Sequence, residues 1–583
     1  MFGPQTASIT HMLKARMAPV VALMIAMAML LTGCAAGNNN SNTNGQSNSS
    51  VNVDGYSSDP TSGDVKTQEF KPKSGSPTAT LKIASGSENR EVAGAIQKAV
   101  DDSKVAVTLD YMGSLDIMNT LSNGGGDYDA VWPASSMWIS MGDTKHIVKN
   151  AQSTSTTPIV FGIEKKTAQS LGWADNDGKT KAVATTDLID AVKAGQLKFS
   201  MTSATQSNSG ASAYLAFLTA IAKTGQALTK DDLNNANVQN SVKTLLSGVD
   251  RSSGSSDWLK DMVVANPDRF DAMVNYESLV IQANKQLTKN GKDPLVAIYP
   301  ADGIAVSDSP LGYVDRGQKN DTAFGDFSKA LQSKEAKLLF EQAGRRTGLG
   351  GVLTYASDAK VKDSFRSEWG INTTSEALKT IPMPAADVIN ASLDIYQSIL
   401  RKPSWTVWVV DYSGSMTGTG KDGVVKGLNA ALNPDQAKQA HIEPGNEDVN
   451  VFIPFSSDAF SPTKTTGTDT SAILNKGSDT MPTGGTDIYA GLQAALQSNM
   501  PDDFSKYTTA IVLMTDGQSQ TSNKDAFTAD YKSNGHEVPI FSIMFGEADP
   551  SQLQELASLS NAKVFDGRSE DLATVFRQVK GYN

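Results

Sequence analysis

Residues 406–415 read TVWVVDYSGS, and this stretch decides the fold of the C-terminal part of the chain. A near-continuous run of apolar residues predicts a strand that is buried on both faces, as in a parallel sheet. The turn DYSGS that follows can bring one carboxylate and two hydroxyls to a single point. Further strands are predicted at 449–455, 510–514, 539–544 and 563–565, with helical or loop stretches between them. The pattern therefore predicts a doubly wound α/β sheet with polar turns at its carboxyl edge.

Two more polar turns belong to the same pattern. TGGTD at 483–487 precedes a helix predicted over 488–496, and TDG at 515–517 directly follows the strand at 510–514. A chance turn could explain one of these polar segments, but it does not explain three, each at the end or start of a strand or helix. Hydroxyls, carboxylates and water form an all-oxygen donor set that suits Mg²⁺ or Mn²⁺, with Ca²⁺ possible.

These residues resemble the von Willebrand factor type A domain and its metal-ion-dependent adhesion site. That family places D-x-S-x-S, a later Thr and a later Asp in this order, and the resemblance extends over residues 404–583. It implies metal ligands among Asp411, Ser413, Ser415, Thr486 and Asp516. The three hydroxyls would touch the metal, the two carboxylates would act mainly through water, and a protein partner would supply an Asp or Glu.

A helical joint is predicted over 381–403, immediately before this domain. Apolar residues at 388, 389, 393, 396 and 400 follow helical spacing, and Pro403 ends the helix. We interpret it as a helix that docks two domains together. The pair Arg345-Arg346 upstream is assigned, by default, to a solvated face.

Residues 78–380 alternate predicted strands and helices, which indicates another parallel α/β arrangement. Strands are predicted near 80–84, 105–111, 129–132 and 197–201, and each is followed by a Ser- or Gly-containing loop. Ser85 and Glu88 form a predicted capping box. Helix N-termini at strand ends suit anions, because their N–H groups are unpaired. The predicted ligand-binding residues are Ser85, Ser87, Ser114, Ser135, Ser207, Asn208, Ser209, Tyr276 and Glu277.

This stretch resembles the type II periplasmic solute-binding proteins, particularly the branch that binds molybdate- and phosphate-like oxyanions. The resemblance implies a two-lobed module, with 157–163 and 296–299 as strands that cross between the lobes. Any one of these serines is more often a helix cap than a ligand-binding residue. The prediction therefore depends on several serines converging at one site. The acidic residues Glu88 and Glu277 argue against a simple anion site, so a cationic ligand or a peptide remains an alternative.

The N-terminus predicts export. A basic pair and a short apolar run precede Leu31-Thr32-Gly33-Cys34-Ala35, which is typical of a secretory signal and too short to span a bilayer. The ending resembles a bacterial lipobox, which implies that Cys34 is lipidated after residues 1–33 are removed. The Asn- and Ser-rich residues 34–77 predict a disordered tether, and the alternative for the whole segment is an uncleaved signal anchor.

Composition excludes several classes of function. The net charge of −11 and the lack of a Lys/Arg stripe argue against a nucleic-acid partner. A single cysteine allows no intrachain disulfide. None of the four histidines lies in a known catalytic spacing, so we expect no enzyme.

The sequence therefore predicts a lipid-anchored protein on the extracytoplasmic face of the cell membrane. A two-lobed solute-binding module would bind a small polar solute, and a C-terminal domain would recognise a protein partner through Mg²⁺. The alternative is the substrate-binding receptor of an ABC-type transport system that is regulated by the C-terminal domain.

Overall fold

The computed structural model describes residues 51–57, 65–568 and 571–582. The predicted signal peptide, the predicted lipidation site Cys34 and much of the predicted tether lie outside the described residues. From Val51 onward the chain forms one compact unit. Within the part that the structure describes, no helix combines the length and apolar character needed to cross a bilayer.

The first two sheets of the molecule are built from twelve strands. They are β1 Thr67–Phe70, β2 Ala79–Gly86, β3 Val105–Met112, β4 Ala130–Trp132, β5 Val148–Ser153, β6 Thr157–Ile163, β7 Phe199–Thr202, β8 Val249–Ser253, β9 Ala272–Tyr276, β10 Val296–Ile298, β11 Val306–Ser307 and β12 Pro310–Val314.

The helices packed on these sheets complete two lobes. They are α1 Ala93–Ser103, α2 Ser114–Ser122, α3 Ser136–Gly142, α4 Lys165–Ser170, α5 Thr185–Lys193, α6 Asn208–Ala222, α7 Lys230–Leu233, α8 Ala236–Leu246, α9 Ser256–Ala265, α10 Glu277–Lys289, α11 Asp321–Leu331, α12 Lys334–Gln342 and α13 Ala359–Ser364, with 3-10 turns at Ser87–Val92, Leu349–Gly351 and Ser367–Trp369.

The first lobe contains the sheet β1-β3-β2-β4-β12-β5, and the second contains β10-β6-β9-β7-β8, with β11 paired to β6. The chain passes to the second lobe between β5 and β6 and returns between β11 and β12. The strands predicted at 157–163 and 296–299 both form. They belong entirely to the second sheet, where Val296 pairs with Ile163.

Two local predictions in the first lobe are wrong. Ser85 lies inside β2, and the helix that follows is capped at Gly86 without a side-chain bond, so the Ser85–Glu88 capping box does not form. Strand β1 pairs antiparallel with β3 through residues 67–70, and Phe70 is buried. The predicted tether therefore cannot extend as far as residue 77, because this segment completes the edge of a sheet.

The joint consists of α14 Ala386–Ile395, continued by a π-helical turn Tyr396–Leu400. Its apolar face enters a core that contains Trp138 of the first lobe and Tyr214 of the second. The Tyr214 hydroxyl donates to the Ser392 carbonyl at 2.9 Å. The joint thus contacts both lobes, in addition to leading into the next sheet.

The C-terminal sheet has the order β15-β14-β13-β16-β17-β18 and is parallel except for β15. Its strands are β13 Ser404–Asp411, β14 Val449–Phe455, β15 Thr463–Thr466, β16 Thr508–Thr515, β17 Ile540–Met544 and β18 Val564–Asp566. Its helices are α15 Thr419–Leu432, α16 Pro434–Lys438, α17 Ser471–Asp479, α18 Ile488–Ser498, α19 Lys524–Asn534, α20 Pro550–Leu559 and α21 Leu572–Lys580, with 3-10 turns at Gly414–Met416 and Phe504–Lys506.

Strand β13 is buried along its whole length and divides the core of this domain into two layers. Val407 and Val409 enter one apolar cluster, whereas Trp408 and Val410 enter the cluster on the opposite face. Alternation of side chains along a strand explains the division. Both faces are covered by helices, which confirms the predicted doubly wound α/β fold.

Candidate functional site

Three loops meet at the carboxyl edge of the C-terminal sheet. The turn after β13 and the loop before α18 are joined by two backbone hydrogen bonds, Gly414 N–H to the Gly484 carbonyl at 3.0 Å and Thr483 N–H to the Tyr412 carbonyl at 2.8 Å. The third loop continues β16, which neighbours β13 in the sheet. Parallel strands thus bring residues about a hundred positions apart to one edge.

The predicted metal-binding hydroxyls come together at this edge. Ser413 Oγ lies 3.0 Å from Ser415 Oγ, and Ser415 Oγ donates to Asp516 Oδ1 at 2.8 Å. A methyl group on Gly517 would lie 3.3 Å from Thr486 Oγ1 and 3.7 Å from Ser415 Oγ. Residue 517 therefore lacks a side chain where the hydroxyls converge, and the space beside them stays open.

Asp411 stabilises the arrangement of these hydroxyls from the interior of the domain. Its side chain is fully buried, Oδ1 accepts the Ser413 N–H at 2.7 Å, and Oδ2 accepts the Thr515 hydroxyl at 2.7 Å. Burial raises the pKa of Asp411, and burial also raises the pKa of the half-buried Asp516. Both oxygens of Asp411 already accept hydrogen bonds, so its geometry suits an indirect role toward a cation.

The donor set fits a hard divalent cation. Three hydroxyls, one partly exposed carboxylate and one buried carboxylate supply oxygen only, which matches Mg²⁺ or Mn²⁺. No group of three or more His, Cys, Asp or Glu side chains among the described residues could hold a metal. Cation binding here would therefore depend on Ser413, Ser415 and Thr486 together with the two aspartates.

Asp487 is a supporting residue that sequence reasoning missed. It caps α18, with Oδ1 accepting the Tyr489 N–H at 3.0 Å and Oδ2 accepting the Asn523 amide at 2.7 Å. These bonds fix the start of the helix next to Thr486. The signal was available, since an Asp directly before a predicted helix is a common N-cap.

The rim of the edge carries one exposed and one half-buried side chain that could touch a partner. Met481 is 69% exposed, and the Lys421 ammonium lies 3.5 Å from its sulfur. Met481 precedes the loop that carries Thr486, and Lys421 follows Gly420, which lies beside Asp516. An apolar group and a cation therefore border the predicted metal site.

The predicted solute-binding residues gather where the two lobes meet. All of them are buried except Ser87, which is half-buried. The Asn208 amide donates to the Tyr276 hydroxyl at 2.9 Å and to Ser307 Oγ at 2.8 Å, and it accepts the Trp138 indole N–H at 2.7 Å. Because Trp138 belongs to the first lobe, this bond joins the lobes directly.

Five of the six serines predicted to bind a ligand form hydrogen bonds with the protein itself. Ser256 Oγ lies 3.0 Å from Ser207 Oγ and 2.7 Å from Ser209 Oγ. In the first lobe, Ser135 caps α3 by accepting the Met137 N–H, and Ser114 accepts the Ala134 N–H. Ser85 likewise accepts the Asn89 amide. These serine contacts are therefore the structural ones that caps and loops commonly make.

The assignment of Arg345-Arg346 to a solvated face is wrong. Each is 1% exposed. Arg345 Nε bonds to Glu91 Oε2 at 2.8 Å, and Arg346 makes two bonds of 2.7 Å to Glu277. Adjacent arginines thus pair with acids from different lobes. Glu277 is committed to this internal ion pair, and Tyr299 also donates to it.

Comparisons with known proteins agree with both folds. Residues 81–346 match the family model of the bacterial extracellular solute-binding protein, and residues 407–578 match that of the von Willebrand factor type A domain. The chain therefore combines a solute-binding domain with a von Willebrand factor type A domain. None of the curated proteins matches the chain.

Similar solved structures cover each part separately. A von Willebrand factor type A protein from Catenulispora acidiphila is 16% identical with a TM-score of 0.26, and the match covers 31% of this chain and 42% of that one. A periplasmic binding protein from Actinobacillus pleuropneumoniae with bound fructose-6-phosphate is 12% identical with a TM-score of 0.39, covering 55% and 98%. The sulfate-binding protein of Mycobacterium tuberculosis is 16% identical with a TM-score of 0.34, covering 51% and 93%.

Proposed function

We propose that this chain, which joins a bacterial extracellular solute-binding domain to a von Willebrand factor type A domain, recognises a protein partner through a divalent cation. Both families are families of binding domains, and the first is extracytoplasmic. The proposal that a divalent cation mediates this recognition rests on one observation. Ser413, Ser415 and Thr486 converge with Asp516 at one exposed edge of the sheet.

The chemistry follows from the donor set. A bound cation would supply a Lewis-acidic position that accepts one more anionic oxygen. Ser413, Ser415 and Thr486 would orient it with neutral hydroxyls, which leave most of its charge for the partner. Asp411 keeps the Ser413 backbone in place, and Asp516 keeps Ser415 in place. The partner would present an Asp or Glu, and Met481 and Lys421 favour an apolar neighbour and a second acid beside it.

The test is titration of the full-length protein with Mg²⁺ and with Mn²⁺ by calorimetry. Thr486→Ala should lose binding of the cation, because one of three hydroxyls is gone. Thr483→Ala, an exposed threonine in the same loop, should bind the cation as wild type does. Equal affinities in wild type and Thr486→Ala, with both proteins folded, would reject the proposal.

The lipid anchor belongs to the same proposal, supported by the sole cysteine of the chain lying directly after a signal-like run. Acylation of Cys34 would keep the protein at the extracytoplasmic face of the membrane. Replacing Cys34→Ser should move the protein from the membrane fraction to the medium or periplasm. Unchanged fractionation and unchanged size would contradict it.

Small-solute binding between the lobes is the remaining part of the proposal. It is supported by the two-lobed architecture, in which Trp138, on the helix after β4, contacts Asn208, at the start of the helix after β7. The same architecture suits the alternative, a substrate-binding receptor of an ABC-type transporter whose C-terminal domain regulates docking. Growth on a transported solute that requires this gene but not Thr486 would favour that alternative.

A further inference from the structure

A small cavity lies where the second lobe, the joint and the C-terminal domain meet. Its wall includes Ser203 and Ser252 of the second lobe, Arg401 of the joint, and Ser404 and Lys580 of the C-terminal domain. The space open to the centre of a water molecule is about 30 Å³. One water needs about 10–15 Å³ of such space, so the cavity can hold about two waters or one small polyatomic ion.

Three cations line this cavity, namely Arg401, Lys402 and Lys580, and no acid does so among the described residues. Lys580, at the end of α21, is 6% exposed, and its ammonium has no hydrogen-bond partner in the part of the chain that the structure describes. The same holds there for Arg401 Nε and for the hydroxyl of the buried Ser404. Three potential donors on the cavity wall are therefore unused.

One buried acid lies beside these cations. Asp448 is 1% exposed and accepts hydrogen bonds from the Arg401 guanidinium and from the Ser404 N–H, the second at 2.8 Å. Burial would raise the pKa of Asp448, but the charges of Arg401 and Lys580 lower it to about 2. The half-buried Glu443 is the other acid near Arg401, and it forms no ion pair within 4 Å among the described residues. Asp448 therefore contacts one of the three cations only.

The charge of Lys580 persists at neutral pH. Burial lowers the pKa of Lys580 to about 8, Asp448 opposes this shift, and Arg401 adds to it. The ammonium is therefore mostly protonated at pH 7. Water in the cavity could accept its hydrogen bonds but would leave a buried charge without an acidic contact. An anion would supply the acceptors and the opposite charge together.

A wider groove gives access to the cavity. Lys402 and Thr508 line both spaces, and the Lys402 ammonium donates to the Val249 carbonyl at 3.1 Å. The groove is also lined by the exposed Ser505 and His536, so it opens to solvent. A small solute can therefore approach the cavity past a third cation.

We propose that a small oxyanion of the size of phosphate or sulfate binds in this cavity, held by Lys580, Arg401 and Ser404. The proposal is independent of the predicted metal site, because Ser404 begins β13 whereas Asp411 ends it. The three donors come from the joint and the C-terminal domain, and the second lobe closes the wall. The bound anion would therefore stabilise the docking of the C-terminal domain on the solute-binding domain.

The test uses full-length protein at pH 7 in calorimetry and thermal shift, with phosphate and sulfate as probes and chloride keeping the ionic strength constant. At least one probe should bind saturably and raise the melting temperature. Lys580→Met keeps the length of the side chain but removes the ammonium. It should weaken binding by about tenfold or more, because a hydrogen bond to a charged group is lost. Lys532→Met, at an exposed lysine of the same domain, should bind as wild type does.

Ser404→Ala separates anion binding from a merely structural role. The Ser404 hydroxyl has no hydrogen-bond partner among the described residues, so its removal should leave the melting temperature without added anion unchanged. Affinity for the anion should nevertheless fall several-fold, and limited proteolysis of wild type between the two domains should slow when the anion is bound. Equal affinity in wild type and in every folded variant overturns the proposal. No saturable binding of either probe, or an equal thermal shift with chloride, also overturns it.

Discussion

Replacing Arg346→Met should destabilise the two-lobed region strongly. The guanidinium makes two bonds of 2.7 Å to Glu277, a third of 2.9 Å to the Gly351 carbonyl and a fourth to the Asn372 carbonyl. Methionine would fill similar volume, but Glu277, which is 0% exposed, would keep only the Tyr299 hydroxyl as a polar side-chain partner among the described residues. Breaking a buried pair by removing one partner costs about 3–5 kcal/mol.

The expected change in melting temperature follows from the size of the unfolding unit. If roughly 300 residues unfold together, the unfolding entropy is about 0.6 kcal/mol per kelvin, so the loss corresponds to about 5–8 °C. Differential scanning fluorimetry or circular dichroism would measure it. Arg366→Met is the matched control, because Arg366 is 41% exposed and pairs with Asp363 at 3.2 Å; it should shift the midpoint by about 1 °C or less.

A double variant separates charge from packing. Arg346→Met with Glu277→Gln removes both charges, so part of the lost stability should return. A shift below about 1 °C for Arg346→Met, or one no larger than that of Arg366→Met, would refute the account of Arg346 as a buried partner of Glu277. Failure of the double variant to recover any stability would show that the loss comes from packing.

Three further results are expected. Burial raises the pKa of Glu88 from 4.5 to about 7 in the folded state, so between these pH values the folded protein binds a proton that the unfolded chain does not. The contribution of Glu88 to stability should be complete below pH 4.5 and be lost as pH rises to about 7. Glu88→Gln should remove this pH-dependent contribution from a series of melting temperatures. Gly517→Ala should weaken Mg²⁺ binding in calorimetry without lowering the melting temperature, since its methyl would lie 3.3 Å from Thr486 Oγ1, whereas Gly325→Ala, with open space around it, should leave Mg²⁺ binding unchanged. Trp258→Ala should lower the free energy of unfolding by about 2 kcal/mol, less than the loss of a fully buried ring, because the half-buried ring of Trp258 packs 5.1 Å from that of Tyr582. Limited proteolysis should then cut faster between the solute-binding domain and the C-terminal domain. An unchanged rate of cleavage would contradict the contact.

The C-terminal fold was predictable because its signals are local and strong. The apolar run at 407–410 and the polar turn after it fix both the strand and the edge where the hydroxyls meet. Strand β15 was missed, since its sequence TKTT at 463–466 is polar, half-exposed and at the edge of the sheet. Edge strands carry little hydrophobic pattern, so the sequence alone offered no apolar alternation to detect.

The roles of buried polar residues between the lobes could not be predicted in the same way. Arg346 pairs with an acid 69 positions away, and Arg345 with one 254 positions away. Charge pairs of that separation leave no local pattern, so a solvated face was the default assignment. Likewise, the serine loops were found from their positions before helices. One hydroxyl that bonds to Ser209, that of Ser256, nevertheless lies 47 residues away in the sequence.

The way the two parts dock keeps the predicted metal site accessible. Lys402, just before β13, donates to the Val249 carbonyl at 3.1 Å, and Arg251 donates to the Ser560 carbonyl near the start of β18 at 3.4 Å. Trp258 packs on Phe541 near the start of β17. These contacts lie at the amino ends of the strands, whereas the hydroxyls lie at the carboxyl ends. Strand β13 has 8 residues, so it separates the two edges by about 23 Å. Since parallel strands give the sheet two chemically distinct edges, one can hold the solute-binding domain while the other stays free for a partner.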